Sequence, residues 1–241
     1  ASLYDVATVV KVVELPGVKD AAEWFGAGHT VVELEVLAGA VAPWRPTWGE
    51  LSDLLEQVLR FLRAFVVMGE HQATAAALWT AHTFTYRSGE TTPYLSVRSA
   101  EKRSGKSRLL EVLELLTHAP LRTETISVAA LAHSLNEGST LLLNEVDTIF
   151  KANGAGETRE MLRGVLDAGY RAGGFYVRMA GQGASMHLQK FDCFGPKALG
   201  GIGRLPGTLD DRSIIINLKR RTRSEPVSRL RLREAREEAA P

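Results

Sequence analysis

Residues 93–110 read Pro-Tyr-Leu-Ser-Val-Arg-Ser-Ala-Glu-Lys-Arg-Ser-Gly-Lys-Ser-Arg-Leu-Leu. The apolar run Tyr94–Val97 predicts a short buried strand. A polar loop follows it, then Gly105-Lys106-Ser107, then apolar residues at helical spacing. Strand, loop, Gly-Lys-Ser and helix form the layout in which loop N–H groups and the positive end of a helix dipole hold a phosphate. The pattern G-x-x-x-x-G-K-[ST] is met except at its first glycine, where this chain has Ala100.

As a P-loop, this stretch predicts a nucleotide-binding set of Lys102, Arg103, Ser104, Gly105, Lys106, Ser107 and Arg108. Backbone N–H groups of 102–106 would turn toward the β-phosphate, which Gly105 lets the chain approach closely. Lys106 would reach the β- and γ-phosphates, and the Ser107 hydroxyl would bind Mg2+. ATP and Mg2+ are the expected cofactors.

A second element follows at Thr140-Leu141-Leu142-Leu143-Asn144-Glu145-Val146-Asp147. In a P-loop ATPase an apolar strand ends here in Asp-Glu: the Asp orients the Mg2+ shell and the Glu polarises the attacking water. Glu145 is therefore the candidate catalytic carboxylate, and Asn144 joins Ser107 as a candidate metal residue. The plain packing alternative is a buried strand followed by a helix cap at Asp147. Asn144 offers an amide oxygen without charge, whereas Mg2+ prefers anionic hard oxygens, so weaker metal binding and slower turnover are expected. Glu145 also marks the ATPase branch with a strand inserted between the two motif strands, and Leu121–Glu124 is assigned that place. A third element, Leu205-Pro206-Gly207-Thr208-Leu209-Asp210-Asp211-Arg212-Ser213, puts Arg212 just before a further strand. An arginine finger reaching a neighbouring subunit's γ-phosphate and a surface pair with Asp210 or Asp211 are the two readings there.

With Thr92-Pro93-Tyr94-Leu95, Glu101–Leu110, Leu141–Asp147, Ala168-Gly169-Tyr170-Arg171-Ala172-Gly173, Phe194–Gly203 and Asp211-Arg212-Ser213-Ile214, residues 75–221 resemble the P-loop ATPase domain that follows primase-type domains in phage and mobile-element replication proteins. That family often lacks the first P-loop glycine and normally carries Asp where this chain has Asn144. The resemblance implies an α/β, AAA+-like core of the additional-strand type, acting as a helicase or translocase. It further implies a homo-oligomeric ring, single- or double-stranded DNA and other replication proteins as partners. A polar γ-phosphate sensor is expected at the end of the strand before Lys197, with Lys197 the candidate. A hairpin around Arg178 and Gln182 would enter the ring pore and touch DNA; a hairpin without a ligand is the alternative. Lys19-Asp20-Ala21-Ala22-Glu23-Trp24 with Gly28-His29-Thr30 is similar to the end of a Toprim-type primase domain. The carboxylates that make such a domain catalytic lie upstream of that segment, so primase activity is not assigned.

The chain divides on this reading into a primase-like tail (1–42), a helical extension (47–88), the ATPase core (89–221) and a basic helical tail that begins a lid (222–241). Residues 6–15 predict a strand, Val18–Phe25 a short helix, and Thr30–Glu33 a capping box opening another. Ala42–Pro46 is the expected linker, and Thr47-Trp48-Gly49-Glu50 a second capping box. Leu51, Leu54, Leu55, Val58, Leu59, Leu62, Phe65 and Val66 then recur at the spacing of an amphipathic helix. Strands alternating with helices imply a largely parallel sheet.

The 241 residues are 45% hydrophobic and 24% charged, as in an ordinary globular chain. Net charge is +1, which disfavours a strongly basic polyanion binder. The basic run Lys219-Arg220-Arg221-Thr222-Arg223 stands out locally. Arg220 and Arg221 are candidate DNA contacts, with a solvated helix face as the alternative. No apolar run approaches the roughly 20 residues of a membrane span, and no signal-peptide pattern opens the chain. The start at Ala1 suggests a fragment of a larger protein. The lone Cys193 fits a reducing cytoplasm and a core position. Two functional classes compete: a Mg-dependent ATPase core of a replication helicase, and a nucleotide-dependent assembly or regulatory module that turns over little because of Asn144. A small-molecule kinase would need an acceptor pocket and lid that the sequence does not suggest.

Overall fold

A computed structural model describes residues 11, 13–41, 51–147, 156–180 and 185–239. Two compact units divide the chain, Ala1–Leu51 and Ser52–Pro241. In the first unit, helix α1 (Ala21–Gly26) is capped by Asp20, whose carboxylate accepts from the Glu23 N–H at 2.9 Å. Helix α2 (Val31–Ala40) opens with the expected capping box between Thr30 and Glu33. Trp24 is buried and stacks on the His29 ring at 3.7 Å. Of the strand expected over 6–15, the described residues 11 and 13–15 are not in a strand, and the rest lie outside the described residues. The linker Ala42–Pro46 and the capping box Thr47–Glu50 lie outside them as well.

In the second unit, five parallel strands form one sheet in the order β2-β3-β6-β1-β7. They are β1 (Tyr94–Ser99), β2 (Pro120–Thr123), β3 (Thr140–Leu143), β6 (Lys197–Ile202) and β7 (Ser213–Asn217). Strands β4 (Phe175–Ala180) and β5 (His187–Asp192) make a separate antiparallel hairpin. Each crossover in the sheet runs through a helix, as parallel pairing requires. The helices are α5 (Lys106–Leu116), α6 (Val128–Asn136), α7 (Gly156–Ala168) and the short α8 (Gly207–Asp211). Two earlier helices, α3 (Leu51–Phe65) and α4 (Glu70–Thr85), complete one face.

Alternation along β1 shows why both faces must be covered. Leu95 and Val97 join a core with Phe61, Leu62, Trp79, Leu109 and Leu113 from α3, α4 and α5. Tyr94 instead joins Leu131, Val165, Leu166 and Leu199 on the opposite face. A central parallel strand buried on both sides reads as a continuous apolar run, as this one does. The amphipathic stripe of α3 is buried only in its second half. Leu62 is fully covered, whereas Leu51 and Leu54 are exposed.

One expectation is corrected. The strand between β1 and β3 is β6, and the segment around Leu121 is β2, at the outer edge of the sheet beyond β3. Strand β6 was hidden in the sequence because it contains Gly200-Gly201, and glycine weakens a strand reading. Neighbouring side chains explain both glycines. A Cβ at 200 would lie 2.9 Å from Leu110 Cδ1 and 3.3 Å from Asn144 Oδ1. One at 201 would lie 2.8 Å from Val146 Cγ2 and 3.0 Å from Asp147 Oδ1.

Gly169, just after α7, is similarly confined. A Cβ there would meet Cys193 O at 2.2 Å and Lys197 Nζ at 2.3 Å. Gly169→Ala is therefore expected to lower stability by roughly 3 kcal/mol through overpacking against backbone. Gly164→Ala, with open space around it inside α7, should raise stability by about 0.5–1 kcal/mol through helix propensity. Urea unfolding of the two variants checks the contrast.

Candidate functional site

The C-terminal ends of parallel strands gather the loops of an open α/β sheet, and ligands bind there. At the end of β1 the backbone turns through two left-handed residues, Arg103 (φ 62) and Gly105 (φ 92), into α5. The first hydrogen bond of that helix runs from Leu109 N to Gly105 O at 2.9 Å. The preceding helical N–H groups thus belong to the unsatisfied first turn, which carries positive partial charge. Lys106 folds back into the loop. Its ammonium donates to Ser99 Oγ (2.6 Å), Glu101 O (3.2 Å) and Ser104 Oγ (3.3 Å). Burial pushes the Lys106 pKa down, and the Asp147 carboxylate opposes that shift.

The end of β3 meets this loop. Asn144 is buried, its N–H donates to Thr123 O at 2.9 Å, and its Nδ2 donates to Ser107 Oγ at 3.2 Å. The two candidate metal residues, brought together from separate motifs, are therefore in direct contact. Glu145 follows with φ 55 and an exposed side chain. A non-glycine residue held in that left-handed region costs about 1–2 kcal/mol and is found at constrained sites. Asp147 then accepts the Ile202 N–H at 2.9 Å, which fastens this segment to the end of β6.

Beside the loop lies a cavity of about 450 Å³, with Phe65 and Val66 on its apolar side and Arg103, Arg108, Lys219 and Arg221 among its cations. Arg108 is paired with Glu111 at 3.0 Å. The chain after β7 crosses here, and the Ser228 N–H donates to Ala64 O at 2.8 Å. Lys102 is exposed on the loop.

The tail differs from the expected basic helix. Only α9 (Leu232–Ala239) is helical, and its Ala235 is buried in the core with α5. Residues 219–231 are not helical, and a turn ties Thr222 N to Glu225 Oε2 at 2.7 Å. Arg220 borders a different cavity from Arg221, beside Gln72 and Asn217.

Lys197 does not stand where a γ-phosphate sensor would. It opens β6 and is level with the start of β1, since Leu95 pairs with Ala198. The loop that leads to Gly105-Lys106-Ser107 begins at the other end of β1, roughly 16 Å away at about 3.3 Å per residue. Lys197 is fully buried, and its ammonium donates to the carbonyls of Gly195 (2.8 Å), Cys193 (3.0 Å) and Gly169 (3.4 Å). It also lies over the Tyr94 ring at 4.9 Å. It is a packing lysine that joins the base of the hairpin to α7 and the sheet. The end of β6 near the loop carries Ile202, Gly203 and Arg204 instead, and Arg204 borders a cavity of about 230 Å³ with Asp147.

Arg212 sits at the start of β7, also at the edge of the sheet away from the loop, because Tyr94 N donates to Arg212 O at 3.0 Å. Its guanidinium donates to Asp167 O at 2.8 Å and Oδ1 at 3.4 Å, and lies over the Tyr170 ring at 5.0 Å. Its acidic partner is thus Asp167, and Asp210 pairs with Arg98 at 2.9 Å. Arg212 and Lys106 therefore lie at opposite ends of the sheet. On β4, Arg178 lies over the Phe191 ring at 5.1 Å and donates to Gln189 Oε1 at 3.4 Å. Gln182 lies outside the described residues.

Sequence reasoning assigned no site role to Ser99, Asp147 or the Gly200-Gly201 pair. Asp147 is legible as a third polar residue after the apolar strand. The glycine pair is legible as a close-approach signal within an apolar run. Ser99 had no signal, because its role depends on where Lys106 turns. No family model matches the chain, and comparison with curated proteins returns no relative. No helix among the described residues is long and apolar enough to cross a membrane.

Lys197 also sets a pH dependence. Burial lowers its pKa from the ordinary 10.5 to about 7. The unfolded chain then binds more protons across that interval, so stability should rise with pH from about 7 to about 10.5 and fall as pH drops toward 7. Lys197→Met removes the titrating group. Its unfolding midpoint should be lower overall and should lose that slope, read by urea titration at several pH values.

Proposed function

We propose that the chain is the ATP-binding core of a P-loop ATPase with an additional strand, serving a helicase or primase-helicase in phage or mobile-element DNA replication. The observation that carries the nucleotide reading is the contact between Ser107 and Asn144 at 3.2 Å. It joins a Gly-Lys-Ser helix start to the polar end of a second strand, with β6 between their strands. The helicase assignment leans on the motif resemblance, with the sheet order as support.

On this reading the N–H groups of 102–106 and the α5 dipole take the β-phosphate. Lys106 exchanges its loop oxygens for β- and γ-phosphate oxygens. The cavity over Phe65 and Val66 receives the base and ribose. Ser107 and Asn144 would hold Mg2+ through their oxygens, and Mg2+ when bound would supply charge neutralisation on the phosphates. Glu145 takes the proton from the attacking water. Arg212 would act in a ring of copies, leaving Asp167 for a neighbour's γ-phosphate. Arg178, Gln182, Arg220 and Arg221 are the proposed DNA contacts.

The second reading, a binding module with little turnover, is favoured by the neutral Asn144 at the metal position. Nucleotide titration beside phosphate release separates the two: tight binding without release selects the module. Lys106→Ala should abolish binding and hydrolysis alike. Asn144→Asp should raise turnover several-fold, and no increase would remove the explanation given for Asn144. Arg212→Ala should leave nucleotide affinity intact and lower turnover by about 10³-fold or more in the assembled ring. A strict monomer with ATP and single-stranded DNA, by mass measurement, would overturn the finger role.

A further inference from the structure

The chain that follows β7 is fastened at two points. The Leu218 N–H donates to Arg98 O at 2.8 Å, so Lys219 emerges at the loop end of the sheet, beside β1. The Ser228 N–H donates to Ala64 O at 2.8 Å, which lays the chain against the end of α3. Between these ties it forms one wall of the cavity of about 450 Å³ that Ser104 and Gly105 also line. Lys219, Arg221 and Arg229 come from that wall, and Arg103 comes from the loop. Among the described residues none of these four is in an ion pair, whereas Arg108, Arg231 and Arg233 are paired with Glu111, Glu234 and Glu237. The cavity is therefore cationic without internal compensation.

Groups that read the edge of a base are scarce there. Phe65, Val66 and Val227 supply apolar surface, which suits the face of any base. The described lining holds no carboxylate and no carboxamide, the side chains that accept from a base amino group. Two carbonyls at the end of α3 are already engaged, Leu62 O by Val66 N at 3.0 Å and Ala64 O by Ser228 N.

We propose that the cavity takes nucleoside triphosphates by charge and not by base: Arg103, Lys219 and Arg229 hold the ribose–phosphate portion, and adenine, guanine, cytosine and uracil are admitted alike. The assignment rests on the nucleotide reading above and widens its substrate class from ATP to nucleoside triphosphates in general. A site built to hydrogen-bond a substrate group rejects an analogue lacking it by about 10⁴–10⁵-fold, so the two designs differ by a large factor.

The test is calorimetric titration of the full chain with ATP, GTP, CTP and UTP, without Mg2+ so that turnover is suppressed. The four dissociation constants should agree within about tenfold, far inside the spread of a base-reading site. AMP should bind about 100-fold more weakly than ATP, because charge-assisted bonds to the lost phosphates carry the affinity. The double variant Lys219→Gln with Arg229→Gln changes two exposed side chains, so the fold should survive. It should weaken all four triphosphates by a common factor of about 10 or more. A preference above about tenfold for one base, in the parent or created by the double variant, overturns the assignment and leaves the nucleotide reading standing. Unchanged triphosphate affinity in the double variant also overturns it; weakened binding of a single-stranded oligonucleotide in its place would give the wall to nucleic acid. No binding of any triphosphate by the parent overturns the nucleotide reading and this assignment with it.

Discussion

Placement of β6 between β1 and β3 is the constraint on which the candidate site depends. Side by side, β1 and β3 would bring their loops together without room for polar groups between them. With β6 between them, the Ser99 and Asn144 ends are separated by a strand whose glycines leave space on one face at Gly200 and on the opposite face at Gly201. Leu110 from α5 and Asn144 lie against Gly200, and Val146 and Asp147 lie against Gly201. The same glycines that make β6 a weak strand by propensity make it the strand against which the site can close. Its stability comes from burial on both faces, with Ala198 in one core and Leu199 in the other.

The two ends of the sheet carry cations of different kinds. Near the loop, Lys106 is only partly buried and is bonded to hydroxyls and a carbonyl, partners that an incoming anion can replace. At the far end, Lys197 is enclosed by three carbonyls and an aromatic face. Nothing there is free to exchange without opening the junction of α7, the hairpin and β6. Arg212 is intermediate: about a third exposed, held by one carboxylate that also accepts from Thr208 Oγ1 at 2.7 Å. Exchangeability distinguishes a cation that serves a ligand from one that serves packing, and residue type alone does not reveal it.

Asn144 changes the electrostatics of the site more than Ala100 does. Ala100 stands where the pattern G-x-x-x-x-G-K-[ST] has its first glycine, in a loop that reaches two left-handed residues, at Arg103 and Gly105, before entering α5. Asn144 presents, next to Ser107, an amide that donates to the hydroxyl where the proposed ATPase reading expects a carboxylate. The carboxylates that follow along the segment are Glu145, which is exposed, and Asp147, which accepts the Ile202 N–H.

Most elements were legible in the sequence because their signals are local. The Tyr94–Val97 run, the Gly105 turn, the α3 stripe, the capping box at Thr30 and the apolar strand ending at Asn144 all follow from neighbours a few positions apart. The α/β class and the meeting of Ser107 with Asn144 could be anticipated from those motifs. Strand order, the identity of the inserted strand, the partner of Arg212, the depth of Lys197 and the path of the tail could not. Each depends on contacts between residues far apart in the chain: Gly200 with Asn144, Arg212 with Asp167, Ser228 with Ala64. Hydrophobic periodicity states which face an element buries and leaves open what it is buried against. That choice is made by tertiary packing, where the absence of a side chain at Gly200 leaves room for Asn144 beside Ser107.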